Sequence, residues 1–212
     1  QSLDALKKTA ELMNNSYVPT GFGSIYYYMA NYEFQKGNDP TSLLEQSRNS
    51  LQKSIEIDPA NYEPYGYLGR DETLAARWAI KSGKSPAAFF ESGRKAFLKS
   101  IQLNAEEAGF YQLYADLLRR EAEWRLSQNQ SASEPISTGL QIIQKALDLD
   151  STASEAYALQ GTFYLLKAEE QKDKDLISKS KVSLEHALKI NQWLKKDYQA
   201  VLDKANHFFQ TS

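Results

Sequence analysis

The segment Leu51-Gln-Lys-Ser-Ile-Glu-Ile-Asp58 spaces its apolar side chains along one side of a helix and closes on an acid. The same template returns as Phe97-Leu-Lys-Ser-Ile-Gln-Leu-Asn104, Ile143-Gln-Lys-Ala-Leu-Asp-Leu-Asp150 and Leu184-Glu-His-Ala-Leu-Lys-Ile-Asn191. Its last position advances by 46, 46 and 41 residues, a period long enough for a two-helix repeat. Other columns keep that register. Gly23, Gly69, Ala115 and Gly161 are all small, as are Ser47, Gly93 and Gly139, continued by Ser180 once five residues are removed from the last unit. Tyr32, Trp78 and Trp124 hold a third column, where the next unit has Glu170. Small residues beside bulky ones let a neighbouring helix approach closely.

Between the template segments the pattern predicts a second set of helices over 62–81, 108–128 and 154–172. Loop signals separate the two sets at Gly37-Asn-Asp-Pro40, at Ser82-Gly-Lys-Ser-Pro86 and in the polar stretch 127–137 with Pro135. Asp58-Pro59 marks a helix stop. Each unit reads as helix, loop, helix, turn.

Composition agrees. Ten glycines and six prolines in 212 residues are few, as an all-helical chain requires. Twenty-five basic and 27 acidic residues leave a net charge of −2, which argues against nucleic acid as the default partner. Without cysteine there is no disulfide, iron–sulfur cluster or thiol nucleophile. No apolar run is long enough for a membrane helix. A chain beginning at Gln1 reads as a processed product or an excised piece, and 1–15, polar with Lys7 and Lys8, lacks a signal-peptide pattern. The expected compartment is the cytoplasm, with the periplasm left open.

The residues resemble the tetratricopeptide repeat family. Tyr65, Leu68 and Gly69 match its first helix, and Ser47, Leu51, Ser54 and Asp58-Pro59 its second. Tyr111, Tyr114 and Ala115, then Tyr157, Gln160 and Gly161, supply later copies, with Gln160 departing from the apolar expectation. The 46-residue step exceeds the usual repeat of about 34. Ala122-Glu-Trp-Arg-Leu126, Ala76-Arg-Trp-Ala-Ile80 and Gly37-Asn-Asp-Pro40 look more narrowly like the tails of bacterial serine/threonine kinases, although kinase motifs themselves are absent.

The resemblance implies an all-α fold, an α-solenoid of antiparallel helix pairs wound as a right-handed superhelix of about four repeats. It implies one domain over 1–212: a flanking helix at 1–14, repeats at 15–58, 59–104, 105–150 and 151–191, and a capping helix at 192–212. It further implies that first helices line a concave groove gripping a protein or peptide segment. The groove positions carried over are Tyr17, Tyr27, Arg70, Arg77, Gln112, Asp116, Arg119, Arg120 and Thr162. Chaperone-type carboxylate clamps need Lys and Asn where Thr20/Ser24, Gly66/Arg70 and Gln112/Asp116 stand, so that ligand is not expected.

Two readings of the arginines stand side by side. Their guanidinium forks suit partner carboxylates, or they pair with Asp71, Glu72, Asp116, Glu121 and Glu123 along their own helices. The aromatic stretch Tyr17, Phe22, Tyr26-Tyr27-Tyr28, Tyr32 and Phe34 either is covered by the helix expected at 3–13 or forms a partner surface. Trp78 and Trp124 are expected to pack, as are Trp193, Phe208 and Phe209 in the cap. His186 and His207 lack the companions a zinc site needs. No catalytic or phosphate-cradling motif occurs, and no cofactor or enzymatic activity is expected. The function expected is protein–protein interaction within a larger signalling protein. The alternatives are self-assembly into a homo-oligomer through the terminal helices and a small-ligand or enzymatic helical domain.

Overall fold

A computed structural model describes residues 15–208, which contain nine α-helices, one 3₁₀ turn and no strand. The chain divides into two compact units, one ending at Ala105 and one beginning at Glu106. The first holds α1 (Tyr17–Lys36), α2 (Thr41–Ile57), α3 (Glu63–Lys81) and α4 (Ala87–Leu103). The second holds α5 (Ala108–Ser127), α6 (Ser133–Leu149), α7 (Ser154–Gln171), α8 (Lys174–Ile190), the 3₁₀ turn Gln192–Leu194 and α9 (Lys195–His207). Consecutive helices pack as pairs, α1 with α2, α3 with α4, α5 with α6 and α7 with α8.

The small-residue columns are where paired helices touch. A Cβ on Gly69 would stand 2.6 Å from the Phe97 ring, and one on Gly161 would stand 2.9 Å from the Ser180 carbonyl oxygen. The serines of the facing column satisfy the backbone there: Ser47 donates to the Gly23 carbonyl (2.9 Å) and Ser180 to the Gly161 carbonyl (2.7 Å). One turn pair further on, Ser54 donates to Ser16 O (2.8 Å) and Ser100 to Tyr62 O (3.0 Å). These hydroxyls spend their protons where a helix carbonyl would otherwise be crowded and dry.

Helix ends repeat as closely as helix faces. Asp58, Asn104, Asp150 and Asn191 each end a helix in extended backbone, with φ from −144° to −138° and ψ from 93° to 99°. The Asp58, Asp150 and Asn191 side chains accept from the amide two residues on, at 2.8–3.0 Å, making a side-chain turn that sends the chain into the next helix. At the other end of the pairs, Gly37, Gly83 and Asn129 adopt positive φ in strict 46-residue register. Amides of Asn38, Lys84 and Gln130 reach back to Glu33, Ala79 and Arg125 at 2.8–2.9 Å, closing the same left-handed cap three times. The shorter last unit loses its residues here: only 172 and 173 separate α7 from α8, and Lys172 itself takes φ 57°.

The last helix, α9, packs on α7 and α8. Leu194, Tyr198 and Leu202 join Ala158, Leu184 and Ala187 in one buried cluster, and Ala205 joins Leu165, Leu176 and Ile177 in another, with Phe208 packed against it. Trp193 departs from the expectation of cap packing and is 77% exposed, because the 3₁₀ turn sends Leu194 inward in its place. The helix expected at 1–14, and Phe209, lie outside the described residues.

Candidate partner-binding surfaces

In the second unit the carried-over positions lie on α5, with Thr162 on α7. Arg119 reaches Asp116 through Nη2 (2.6 Å) and Glu123 through Nη1 (2.6 Å), while Arg120 Nε holds the second Asp116 oxygen at 2.8 Å. Burial alone would raise the Asp116 pKa, but the two guanidinium groups outweigh it and hold the carboxyl at about 2. Glu155 is pushed the other way, raised by burial and by the charges of Asp116 and Asp197. Burial likewise raises the Tyr198 phenol. Gln112 is half-buried in α5, and Thr162 is buried with its hydroxyl donating to Ala158 O at 2.9 Å. The Gln160 amide oxygen, on the neighbouring face, accepts from Ser183 (2.9 Å).

Beside this network lies an open hollow of about 440 Å³ lined by α5, α7 and α9. Leu126, Leu165, Leu166 and Val201 give it apolar walls, Glu123 stands at its edge, and a Lys204–Glu169 ion pair (2.6 Å) bridges α9 to α7. Apolar walls beneath a few charged groups are the ordinary make-up of a binding site. Ala200, exposed on α9, lies at its margin.

In the first unit the two carried-over arginines stack on aromatic rings. Arg70 lies 4.2 Å from the Tyr27 ring centre and 5.2–5.3 Å from those of Tyr28 and Tyr67, and its Nη1 donates to the Tyr28 hydroxyl at 3.5 Å. Arg77 sits 4.5 Å over Phe34, which meets Trp78 edge-on. Such stacking holds a guanidinium without neutralising it. Glu72 is claimed by Arg48 from α2 (2.7 Å) and not by Arg70. Tyr26 is buried, Tyr27 half-buried and Tyr28 exposed, as three consecutive helical positions must diverge. Tyr17, Ile25, Tyr28, Met29 and Tyr32 leave an exposed apolar stripe along α1.

The sequence offered Asp71 as a pairing partner for the arginines of its own helix, but it is fully buried in α3. The Ser47 hydroxyl beside it is committed to Gly23, and both carboxyl oxygens lack a hydrogen-bond partner among the described residues, as does Arg48 Nη2. Burial pushes Asp71 up to about 8 against the pull of Ser47 and Arg48. The signal was available in the register: later units have Leu117 and Phe163 at this position.

The remaining candidates are quiet. His186 stacks edge-on with Tyr157, and the His207 ring pairs with the Asp203 carbonyl at 2.7 Å. Among the described residues no group of three or more His, Cys, Asp or Glu side chains could hold a metal, and no helix is long and apolar enough to cross a membrane.

No protein-family model matches the chain, and no curated protein matches its sequence. Solved structures do. A crystal structure of MamA, a tetratricopeptide-like protein, aligns over 91% of this chain and 88% of its own at 18% identity with a TM-score of 0.57. A second MamA structure aligns over 89% and 88% at 16% identity, with a lower TM-score of 0.45. The chain thus has an all-α, tetratricopeptide-like helical-repeat fold.

Proposed function

We infer that the protein is a non-catalytic interaction module whose second unit binds a protein or peptide segment between α5, α7 and α9. The observation carrying this reading is the 440 Å³ hollow with apolar walls, set beside fixed charges on the first helices of the repeats. An apolar anchor residue would fill the hollow, and the Asp116–Arg119–Arg120 network would offer polar contacts to the flanking backbone. Peptides selected from a random displayed library on the wild-type protein test this. Ala200→Trp, at an exposed position, should weaken their binding by about tenfold or more while leaving the helical circular dichroism intact. Unchanged affinity would sink the reading.

A second reading, self-assembly, is favoured by one observation, the exposed stripe on α1 together with Trp193. A mass by light scattering that rises with concentration, and falls back to the monomer in Tyr28→Glu, supports it; a constant monomer mass removes it. The kinase-tail context and a cytoplasmic setting rest on sequence likeness and composition alone. A kinase domain in the same gene product would support the former.

A further inference from the structure

One corner of the first unit breaks the repeat. Asp71 and Glu72 occupy columns that hold Leu117 and Leu118, then Phe163 and Tyr164, in the later units, while the Arg48 column holds Arg94 and then Leu140. Setting ionisable groups where the repeat elsewhere packs apolar ones costs stability. The fold therefore does not need them, and positions that break the local rule are where function is to be sought. Arg48 spends Nε on Glu72 (2.7 Å), while its Nη2 has no hydrogen-bond partner among the described residues.

The corner they border is open. Between the start of α2, α3 and the start of α4 lies a cavity of about 190 Å³, with Leu44, Ala75, Trp78 and Phe89 as its apolar walls and Arg48 and Lys84 as its cations. Asp39, which also borders it, accepts from the Thr41 amide at 2.8 Å and the Thr41 hydroxyl at 2.5 Å, and these bonds, with the Lys84 charge, hold its pKa below the usual carboxylate range. In the corresponding corner of the second unit α7 supplies a carboxylate of its own. There Glu170, in the column of Trp78, places its carboxylate on the Ala132 amide (3.0 Å) and the Ser131 and Ser133 hydroxyls (2.9 and 3.0 Å). Leu176, in the column of Phe89 after the deletion, is buried. In the first unit the Glu170 column holds Trp78 instead, and the carboxylate at the corner is Asp39, in the column of Ser131 and turned to Thr41.

We propose that the open corner binds a carboxylate bearing one large apolar group, with Arg48 and Lys84 holding the carboxylate and Trp78 and Phe89 the apolar group. A cavity of about 150 Å³ already takes benzene, so one aromatic or branched side chain fits. A guanidinium edge with unspent donors is suited to a carboxylate, and its charge-assisted bonds supply the preference over neutral analogues. The site lies within the first unit and is independent of the surface assigned to the second. A chain end with a terminal apolar residue and a free small acid share this chemistry.

The test titrates the full chain with N-acetylphenylalanine, N-acetylphenylalaninamide and a glycine-rich pentapeptide ending in free phenylalanine, following the Trp78 indole by NMR. The acid should bind saturably and about tenfold or more tighter than the amide. Arg48→Leu, which copies the Leu140 packing and should fold, must abolish that preference, and exposed Lys84→Ala should weaken it. Tighter binding of the peptide than of the acid assigns the site to chain ends; the reverse assigns it to a small acid. Equal binding of acid and amide, no saturable shift with either acid or peptide, or an unchanged preference in a folded Arg48→Leu overturns the proposal.

Discussion

At the scale of single residues, the informative positions are those where one unit differs from its register partners. Asp71 sits where Leu117 and Phe163 are fully buried, and its folded pKa of about 8 lies above the ordinary 3.8. Between those values the folded chain binds more protons than the unfolded one. Its contribution to stability is therefore complete below about pH 4 and lost as pH rises through about 8, at up to about 1.4 kcal/mol per pH unit. Asp71→Leu should flatten this slope and stabilise the protein most in alkaline solution, read from urea midpoints at about pH 5, 7 and 9. Parallel curves for the two proteins would show that Asp71 is not the titrating group. Lys172 is a second such position, since it takes the left-handed conformation that Gly37 and Gly83 take without a Cβ. Lys172→Gly should raise stability by about 1 kcal/mol, and Gly83→Ala should lower it by a similar amount, in the same denaturation experiment.

At the scale of elements, helix faces and ends were largely legible. The expected helices at 62–81, 108–128 and 154–172 emerge as Glu63–Lys81, Ala108–Ser127 and Ser154–Gln171, because the small columns and the Asp or Asn stops are local signals. The left-handed column Gly37, Gly83 and Asn129 was equally visible in the spacing, but Asn in place of Gly hid it. Side-chain partners were less legible. Arg119 and Arg120 find acids three or four residues away on their own helix, whereas Arg70 and Arg77 find Tyr27 and Phe34, some forty residues distant, and no spacing rule reaches that far. Close approach makes its own prediction. Gly161→Ala should cost about 1–3 kcal/mol because the Ser180 carbonyl, a backbone atom, cannot yield easily. The cap predicts another: Leu202→Ala, opening the cluster with Ala158 and Leu184, should cost about 2–3 kcal/mol and speed amide exchange in α9 before α7.

At the scale of the whole molecule, a helical-repeat fold concentrates its chemistry on surfaces that the repeats leave incomplete. The stacked Arg70 and Arg77 stand where later units have Asp116 and Thr162, and Glu123 and Glu169, and a register describes the rule better than its exceptions. On the function proposed above, α5, α7 and α9 of the second unit form the partner-binding face. Amide-shift mapping of a selected peptide on the full chain tests it most directly. The account predicts that the largest shifts fall on α5, α7 and α9 around Leu126, Leu165 and Val201, with α6 and α8 little changed. Shifts concentrated on α6 and α8, or on α1, would contradict it.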